Sequence, residues 1–415
     1  MKSYLHLYFL LFYTIHLSGK DTELAEWRSE FLNAVRVESL SPNLMVRSLA
    51  IFSVSAHDAI NSLEKKYHPF LIFHKHNLVK WDLNSVIAGC GSRIGKSLHP
   101  ARTRNFENLA SFANKKESVI KYESFLFGEK VANYFLQQRK NDGASTTVTY
   151  IPKSLPAQWR RTPNFFRPPE QPHWRNVAMF AVKSIDDFIP PPPPSPTSEK
   201  FLKSLKEVKI LGGKDSQIRT PKQTFIAQFW KDFSYTQTPP GHWNDIASEV
   251  CQAQKFNLVD EVRIFAMLNL ALADSGIISW ECKYRYNLWR PIHAIQLADQ
   301  FPQSKKYVNK KWEPLLESPP HPEYVSAHSF FSGTASTILS KICGNDNYNF
   351  TVRSDQFPNK KRKFNSFSSC AKEVALSRLY GGIHFRFSND EGLNSGIRLG
   401  LYYFNKVLLP LTNID

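Results

Sequence analysis

The feature that most constrains the fold is the spacing of apolar residues, which follows the helical period through most of the chain. Within residues 260–286, apolar side chains stand at positions 264, 265, 267, 268, 271 and 272, which share one face of a helix. Residues 45–65 show the same pattern and predict a central helix. Segments in which Val, Ile or Thr alternate with polar residues are scarce. The sequence therefore predicts an all-α protein in which each half supplies a helical bundle.

Shorter segments continue the helical pattern in both halves. Residues 116–141 stop at Asp142-Gly143, a pair that favours a turn. Residues 328–343 and 370–387 are predicted as helices near the C-terminus. The remaining predicted helices are residues 27–37, 83–98, 104–114, 221–235, 242–254 and 392–409.

The longest interruption of this pattern is rich in proline and aromatic residues. It spans residues 151–196 and contains five consecutive prolines at 190–194. Because proline lacks an N–H and fixes φ, the run favours a rigid polyproline connection over a helix. We divide the chain into an N-terminal helical half (20–150), a connector (151–200) and a C-terminal helical half (201–410). A linker between two bodies and a packed loop within one compact unit both fit this composition.

The overall composition is that of a globular protein with a basic surface. Hydrophobic residues make up 42% of the chain and charged residues 21%, which excludes a disordered chain. The formal net charge is +17. This charge favours contact with anionic partners or membrane surfaces. No nucleic-acid-binding motif accompanies it, so we expect no nucleic-acid partner.

Residues 1–19 resemble a secretory signal. Lys2 precedes an apolar stretch at residues 5–17, and Ser18-Gly19 supplies small residues for cleavage. No later segment has 18 uninterrupted apolar residues, so the mature chain is expected to lack an integral membrane segment. The sequon Asn349-Phe-Thr351 agrees with a secreted or lumenal glycoprotein.

The five cysteines are an odd number, so at least one is free or intermolecular. Cys343 and Cys370 flank a segment rich in Asn, Lys and Ser, and a disulfide that closes this segment is one hypothesis. No Cys-x-x-Cys motif occurs, so nothing supports a zinc site or thiol redox chemistry.

Two motifs in the C-terminal half place charged and polar groups on predicted helices. Lys283 and Arg290 are seven residues apart, which is two helical turns, so both side chains can lie on one face. Ser326 precedes His328 at the start of a predicted helix, where an N-cap is expected. Surface cations and simple helix capping would also explain these patterns when each is considered alone.

A third motif joins Arg378 to His384 across Gly381-Gly382. The two glycines allow the backbone to change direction, so that both side chains can face one centre. A close helix crossing with a buried histidine is the ordinary structural alternative. Together the three motifs supply three cations, two imidazoles, a hydroxyl and a helix N-terminus. Such a set can hold an oxyanion and transfer a proton beside it.

The order and spacing of these motifs, K-x6-R-P, S-x-H and S-R-x5-H, resemble the signature that vanadium-dependent haloperoxidases share with type-2 phosphatidic acid phosphatases. Residues 53–62, 188–194, 207–212 and 219–223 also resemble the secreted and bacterial haloperoxidases, so the similarity covers roughly residues 25–405. The integral-membrane phosphatases match only through the short signature. The resemblance implies two four-helix bundles with the active site in the C-terminal bundle.

The resemblance also implies a vanadate cofactor and a role for each motif residue. Six residues would bind vanadate: Lys283, Arg290, Ser326, Ala327, Arg378 and His384. The three cations would neutralise its oxygens, the serine hydroxyl and the alanine N–H would donate to them, and His384 would ligate vanadium. His328 would be the acid–base group, and Lys283 would also assist halide oxidation.

Some positions depart from the family pattern or leave a question open. Ala327 stands where the signature usually has glycine, so its methyl group could narrow the site or forbid a positive φ. The partner that orients the His384 ring is uncertain, and Asp274 is a candidate. Trp280 resembles chloride-oxidising members, whereas His321 resembles bromide-type members. We place both in the halide pocket and favour bromide or iodide.

Three functions remain open from the sequence. The first is a secreted vanadate-dependent haloperoxidase, which oxidises halide with hydrogen peroxide to hypohalous acid that attacks a small organic acceptor. The alternative is a soluble acid phosphatase in which His384 forms a phosphohistidine and His328 protonates the leaving group. The third is a binding protein that keeps the fold without the activity. Three cations retained at one predicted site argue against the third, because they would repel each other without an anion.

Overall fold

A computed structural model of the chain describes residues 23–71, 80–116 and 118–411. Within these ranges it has thirteen α-helices and one two-stranded sheet. The predicted all-α class is therefore confirmed. The predicted signal at residues 1–19 lies outside the described residues and stays a prediction.

The helices divide into two groups on either side of the proline-rich segment. The N-terminal helices are α1 Glu23–Glu38, α2 Pro42–Glu64, α3 Leu83–Leu98, α4 Thr103–Leu109 and α5 Val119–Gln138. The C-terminal helices are α6 Glu199–Gly212, α7 Pro221–Phe229, α8 Thr238–Gln254, α9 Leu258–Tyr286, α10 Pro291–Gln296, α11 Ala327–Ile342, α12 Phe367–Tyr380 and α13 Arg386–Lys406.

Two long helices join the groups into one packed structure. Helix α2 packs on α3 and α5 on one side and on α9 on the other. Helix α9 has 29 residues and also contacts α8, α11 and α13. Within the described ranges, α9 is the one helix long and apolar enough to cross a membrane, and 94% of its apolar window is buried inside the protein. Its apolar character thus builds the core, which extends across both groups.

The connector is packed against the C-terminal group. The carboxylate of Asp274, on α9, accepts hydrogen bonds from the backbone N–H groups of Phe180 (2.7 Å), Ala181 (3.2 Å) and Val182 (3.2 Å). The hydroxyl of Tyr403, on α13, donates to the same carboxylate at 2.6 Å. Asp274 therefore fastens the connector to two helices of the second bundle.

A predicted helix at residues 370–387 is interrupted in the structure. Helix α12 ends at Tyr380, and α13 begins only at Arg386. Gly382 has φ +76°, and a Cβ atom there would lie 2.2 Å from the carbonyl oxygen of Gly212. Glycine is therefore required by both the turn and the close approach of α6. The turn is what brings His384 back toward the end of α12.

Residues 350–364 form a hairpin that the sequence pattern did not predict. Strand β1, Phe350–Ser354, pairs antiparallel with β2, Phe357–Phe364. Charged residues and a proline fill β2, so it lacks the alternation expected of a strand. Helix α6 was likewise missed, because it follows the prolines directly.

The disulfide hypothesis is wrong for this structure. All five cysteines are described, and all are free. Cys370 is completely buried near the start of α12, while Cys343 is half-buried at the end of α11. The hairpin, rather than a disulfide, closes the segment between them.

Candidate active site

The three motifs meet at one end of the second bundle. They lie at the C-terminal end of α9, the N-terminal end of α11 and the turn between α12 and α13. A cleft of about 80 Å³ opens there. Sites for drug-sized organic ligands are larger, at roughly 300–1,000 Å³. The volume therefore suits a small inorganic ion.

The predicted residues are divided between the wall of this cleft and the layer behind it. Six of them line the cleft: Trp280, His321, Ala327, His328, Arg378 and His384. Lys283, Arg290 and Ser326 are fully buried and lie behind that wall. The contacts that follow connect the two layers.

Lys283 and Arg290 point at backbone carbonyl groups. Lys283 lies in the last turn of α9, and its Nζ donates to the carbonyl oxygens of Val325 (2.5 Å) and Glu323 (3.2 Å). Arg290 begins α10, and its Nε donates to His321 O at 2.9 Å while its Nη1 donates to Ile383 O at 2.9 Å. Both cations thus tie the motifs together through the main chain.

Arg378 lies in the last turn of α12, and its Nη1 donates to Trp230 O at 2.5 Å. Its Nε is buried and has no hydrogen-bond partner. We call Lys283, Arg290 and Arg378 the oxyanion cage. Within the described part of the chain, no carboxylate lies within ion-pair distance of any of the three.

The oxyanion cage holds positive charge out of water. Burial and the neighbouring Arg290 lower the pKa of Lys283 well below its usual range. Burial is the main cause that lowers the pKa of Arg290 to about 9 and that of Arg378 to about 10. Buried charge is costly unless an opposite charge lies beside it. An anion in the cleft would supply that charge, so the residues present fit vanadate or phosphate.

The N-terminus of α11 adds hydrogen-bond donors. Ser326 is the N-cap, with its side chain accepting from Ser329 N. Ala327 is the first helical residue and has no positive φ, so its methyl group is tolerated without backbone strain. The first N–H groups of a helix have no partner inside the helix and attract anions. The expected conflict between the Ala327 methyl group and a positive φ therefore does not arise.

His384 is held between a carboxylate and a cation. Its Nδ1 lies 2.8 Å from Glu323 Oε1, which also accepts from Phe385 N at 2.9 Å. Its Nε2 lies 3.1 Å from Arg290 Nη1. Burial and the nearby cations lower the pKa of His384 well below its usual range. The ring is therefore neutral, with Nδ1–H donated to Glu323 and the Nε2 lone pair turned toward the cage.

Glu323 is the orienting partner, and the prediction of Asp274 for that role is wrong. Asp274 is engaged by the connector amides and Tyr403. Glu323 is fully buried, within the segment that leads to Ser326. In the sequence, Glu323 lies between the K-x6-R-P motif and the S-x-H motif. Its pairing with His384 could not be seen there, because the pairing depends on the turn at Gly382.

His328 has a looser environment. Its Nε2 lies 3.8 Å from Asp232 Oδ2, beyond hydrogen-bond distance, and neither atom has another partner. The other oxygen of Asp232 lies 2.9 Å from His242 Nε2. Burial, together with Arg378 and His242, lowers the pKa of His328 well below its usual range. His328 is thus a neutral imidazole at the cleft, and the carboxylate of Asp232 lies beside it in the same lining.

The Asp232–His242 pair was not found from the sequence. Burial alone would lower the pKa of His242, but the carboxylate of Asp232 outweighs burial and raises it. The side-chain amide of Gln237 lies 2.9 Å from His242 Nδ1. An isolated Asp after a short helix carries no pattern, so only the folded course of the segment between α7 and α8 reveals this pair.

Trp280 and His321 form one wall of the cleft. Their rings are 5.0 Å apart between centroids, and Trp280 Nε1 donates to Glu170 O at 3.2 Å. Arg290 Nη2 lies 2.9 Å from His321 Nδ1. Burial and the cations lower the pKa of His321 well below its usual range, so this ring is neutral as well.

A chelated metal ion does not fit the described residues. Residues 23–71, 80–116 and 118–411 contain no group of three or more His, Cys, Asp or Glu side chains that could hold one. The cations and the helix N-terminus would bind the oxygens of an oxyanion, and the His384 lone pair would bind its central metal atom. Vanadate matches this set of donors.

Comparisons with known proteins agree with the geometry. A family model described as the VCPO second helical-bundle domain matches residues 263–412. Vanadium chloroperoxidase of Curvularia inaequalis is 24% identical over 262 residues. That match covers 52% of this chain and 43% of the relative, so the chain spans less than half of that relative's length.

Solved structures extend the likeness to nearly the whole chain. A bacterial vanadium-dependent iodoperoxidase has a TM-score of 0.83 and 26% identity, with 95% of this chain and 98% of that chain covered. A bacterial vanadium-dependent chloroperoxidase in its holo form has a TM-score of 0.69 and 15% identity, covering 88% and 92%. The second likeness shows the fold alone. The fold, the matching second bundle and the oxyanion cage together make this chain similar to the vanadium-dependent haloperoxidases.

Proposed function

We propose that this protein is a vanadate-dependent haloperoxidase, which oxidises a halide with hydrogen peroxide to hypohalous acid that then attacks a small organic acceptor. One observation carries the proposal. Three buried cations without a carboxylate partner in the described chain meet at His384, whose Nε2 lone pair is turned toward them by Glu323. The similarity to vanadium chloroperoxidase and iodoperoxidase supports the same activity.

The residues of the site would share the work of binding. The oxyanion cage would offset the negative charge of vanadate, and the Ser326 hydroxyl and Ala327 N–H would donate to its oxygens. The Nε2 lone pair of His384 would ligate vanadium. When bound, vanadate supplies a Lewis-acidic centre that activates hydrogen peroxide toward halide.

His328 would handle the proton. The ring lines the cleft, its Nε2 has no hydrogen-bond partner, and its low pKa keeps it neutral and therefore unprotonated before the reaction. Asp232, at 3.8 Å, would stabilise the imidazolium that forms when His328 takes up a proton, and the ring would become neutral again when it passes the proton on.

We propose bromide or iodide as the halide. His321 presents a neutral imidazole in the cleft wall, as its resemblance to bromide-type members suggests, and Trp280 packs on its ring. Halide oxidation measured with chloride, bromide and iodide in parallel tests this. Chloride oxidation as fast as bromide oxidation would contradict the assignment.

A soluble phosphatase is the second candidate, and the position of the neutral His384 Nε2 beside the cage favours it. Phosphate is close to vanadate in charge and shape, so the same cage would hold it. His384 would attack phosphorus, and His328 would protonate the leaving alkoxide. The two functions differ in whether peroxide and vanadate are needed.

The deciding experiment uses protein purified without phosphate. Orthovanadate is added, and peroxide-dependent bromination of a chromogenic acceptor is followed with wild type, His384→Ala and the matched control His173→Ala. His173 is half-buried in the connector, away from the cleft. We expect vanadate-dependent bromination that only His384→Ala abolishes.

Two other outcomes count against the proposal. Hydrolysis of a phosphomonoester that requires His384 and is inhibited by vanadate, without bromination, would assign the site to phosphate. Neither activity at any pH from acid to neutral would leave a binding protein.

We further propose that the protein is secreted or lumenal. The signal-like residues 1–19 motivate this, and Asn349 of the sequon is exposed next to β1. Expression of the full sequence in eukaryotic cells, followed by N-terminal sequencing of the protein in the medium, tests it. Retention inside the cells with residues 1–19 intact would contradict it.

A further inference from the structure

A second cleft opens at the opposite end of the second bundle from the oxyanion cage. It has a volume of about 470 Å³ and is lined by the first turns of α9 and the last turns of α11 and α13. The cage lies at the other end of α11, whose 16 residues span about 24 Å at 1.5 Å per residue. The two clefts are therefore separate, and nothing in the proposed oxidation uses the second one.

The walls of this cleft combine apolar and aromatic side chains with polar and charged ones. Phe256, Ile264, Ile342, Phe404 and Leu409 all line it. Its volume falls within the roughly 300–1,000 Å³ of pockets that hold small organic molecules. A cleft of this size with both apolar and charged walls is suited to an amphipathic organic ligand rather than to an inorganic ion.

The charged groups in the cleft are unequally paired. Asp260 is already engaged, because Lys66 Nζ and the Tyr67 hydroxyl both lie 2.5 Å from its Oδ1. Arg263 stacks on the Tyr67 ring, with 4.6 Å from Cζ to the centroid. The Arg263 Nε donates to Leu408 O at 2.7 Å, which fixes the guanidinium at the cleft wall.

Lys341, at the end of α11, is the second cation that lines the cleft, and its side chain is exposed. Among the described residues, no carboxylate forms an ion pair with Arg263 or Lys341. The one acid in the lining is satisfied, and two cations remain. The cleft thus offers an apolar body with an excess of positive charge.

We propose that this cleft binds a small amphipathic monoanion of the aryl-alkyl carboxylate class. The carboxylate would lie between Arg263 and Lys341, and the aromatic body would pack between Phe256, Ile342 and Phe404. Cationic side chains above an apolar floor select against a cation of the same size and favour an anion over a neutral molecule.

Three ligands of equal length test the proposal: 4-phenylbutyrate, 4-phenylbutan-1-ol and 4-phenylbutan-1-amine. Binding to the full chain is measured by calorimetry and by saturation-transfer NMR at low and high salt. We expect the carboxylate to bind most tightly, the alcohol more weakly and the amine not at all. Added salt should weaken only the carboxylate.

Two variants locate the site. Lys341→Gln should weaken phenylbutyrate binding by about threefold, the effect of losing one partly exposed charge pair, and leave the alcohol unchanged. Ile342→Trp should fill the cleft and abolish binding of both. Lys372→Gln removes an exposed lysine on α12 that does not line the cleft and should change neither.

The contrary results are equally definite. Tighter binding of the amine or alcohol, no binding of any of the three ligands, or an unchanged affinity in folded Ile342→Trp would each overturn the proposal. Because Lys341→Gln changes only an exposed side chain, its result stands even if the tryptophan variant fails to fold. Vanadate binding at the cage is expected to be the same in all these variants, so this proposal and the haloperoxidase proposal fail or succeed separately.

Discussion

Two histidine–carboxylate pairs flank the cleft, and they are built differently. Glu323 Oε1 lies 2.8 Å from His384 Nδ1 and is itself held by Phe385 N. Asp232 Oδ2 lies 3.8 Å from His328 Nε2, and the two atoms form no hydrogen bond. The first pair fixes a tautomer and a ring orientation. The second leaves its histidine free to gain and lose a proton.

The difference separates two tasks that the same side chain can perform. A metal ligand needs a lone pair that points in one direction, and a bonded carboxylate on the other ring nitrogen provides this. A general acid–base needs a ring nitrogen that can gain and lose a proton at the reacting group, and His328 Nε2 has no hydrogen-bond partner that occupies it. The two environments therefore agree with the two roles that we propose.

The largest effect is expected from His384→Ala. Removal of the imidazole lone pair that would ligate vanadium should weaken vanadate binding by more than about 100-fold, because loss of a group that only supports a ligand already costs about 10–100-fold. Equilibrium dialysis with vanadate measures this, with His173→Ala as the control. Unchanged affinity would show that the oxyanion cage alone holds vanadate.

His328→Ala should act on turnover rather than on binding. Loss of a general acid–base lowers the rate by about 10²–10⁴-fold. Vanadate affinity should stay within a few-fold of wild type, because His328 has no hydrogen bond to any group of the cage. Steady-state bromination at saturating vanadate, beside dialysis, distinguishes the two quantities. A parallel loss of affinity would make His328 a binding residue.

Glu323→Gln should weaken vanadate binding by about 10–100-fold, since the amide loses the charge that holds the His384 ring. Asp274→Asn is the matched control, because it alters an equally buried carboxylate that binds the connector. It should lower the free energy of unfolding by about 1–3 kcal/mol and leave vanadate affinity alone. Chemical denaturation measures the free energy of unfolding of both variants, and dialysis measures their affinity for vanadate. Equal vanadate affinities in the two variants would refute the contrast.

The smallest effect concerns the pH dependence of stability through His242. Its pKa is raised in the folded state by Asp232, so the pair contributes stability that is fully present below about pH 6.5, the usual value for histidine. That contribution is lost as pH rises through the raised folded-state pKa. Urea unfolding of wild type and His242→Gln from pH 5.5 to 9 should show the largest difference at the acidic end. A difference that grows with pH would reverse the assigned sign.

Parts of the fold and the site could be predicted because they rest on local patterns. The helical period of α2, α3 and α9 comes from apolar spacing, and the predicted bounds lie within a few residues of those observed. Helix α6 and the β1–β2 hairpin have weaker local signals, so they were missed. The single helix predicted at residues 370–387 was wrong, because contact with Gly212 decides what happens at Gly382.

The sequence by itself determined the helical class, the resemblance to a known family and the order of the residues that would bind an oxyanion. These follow from the periods and spacings of side chains along the chain. Only the tertiary structure decided that Glu323, and not Asp274, orients His384, and that Asp232 stands 3.8 Å behind His328. The reason is that such pairs join residues far apart in sequence, and a contact of that kind is set by how the helices pack.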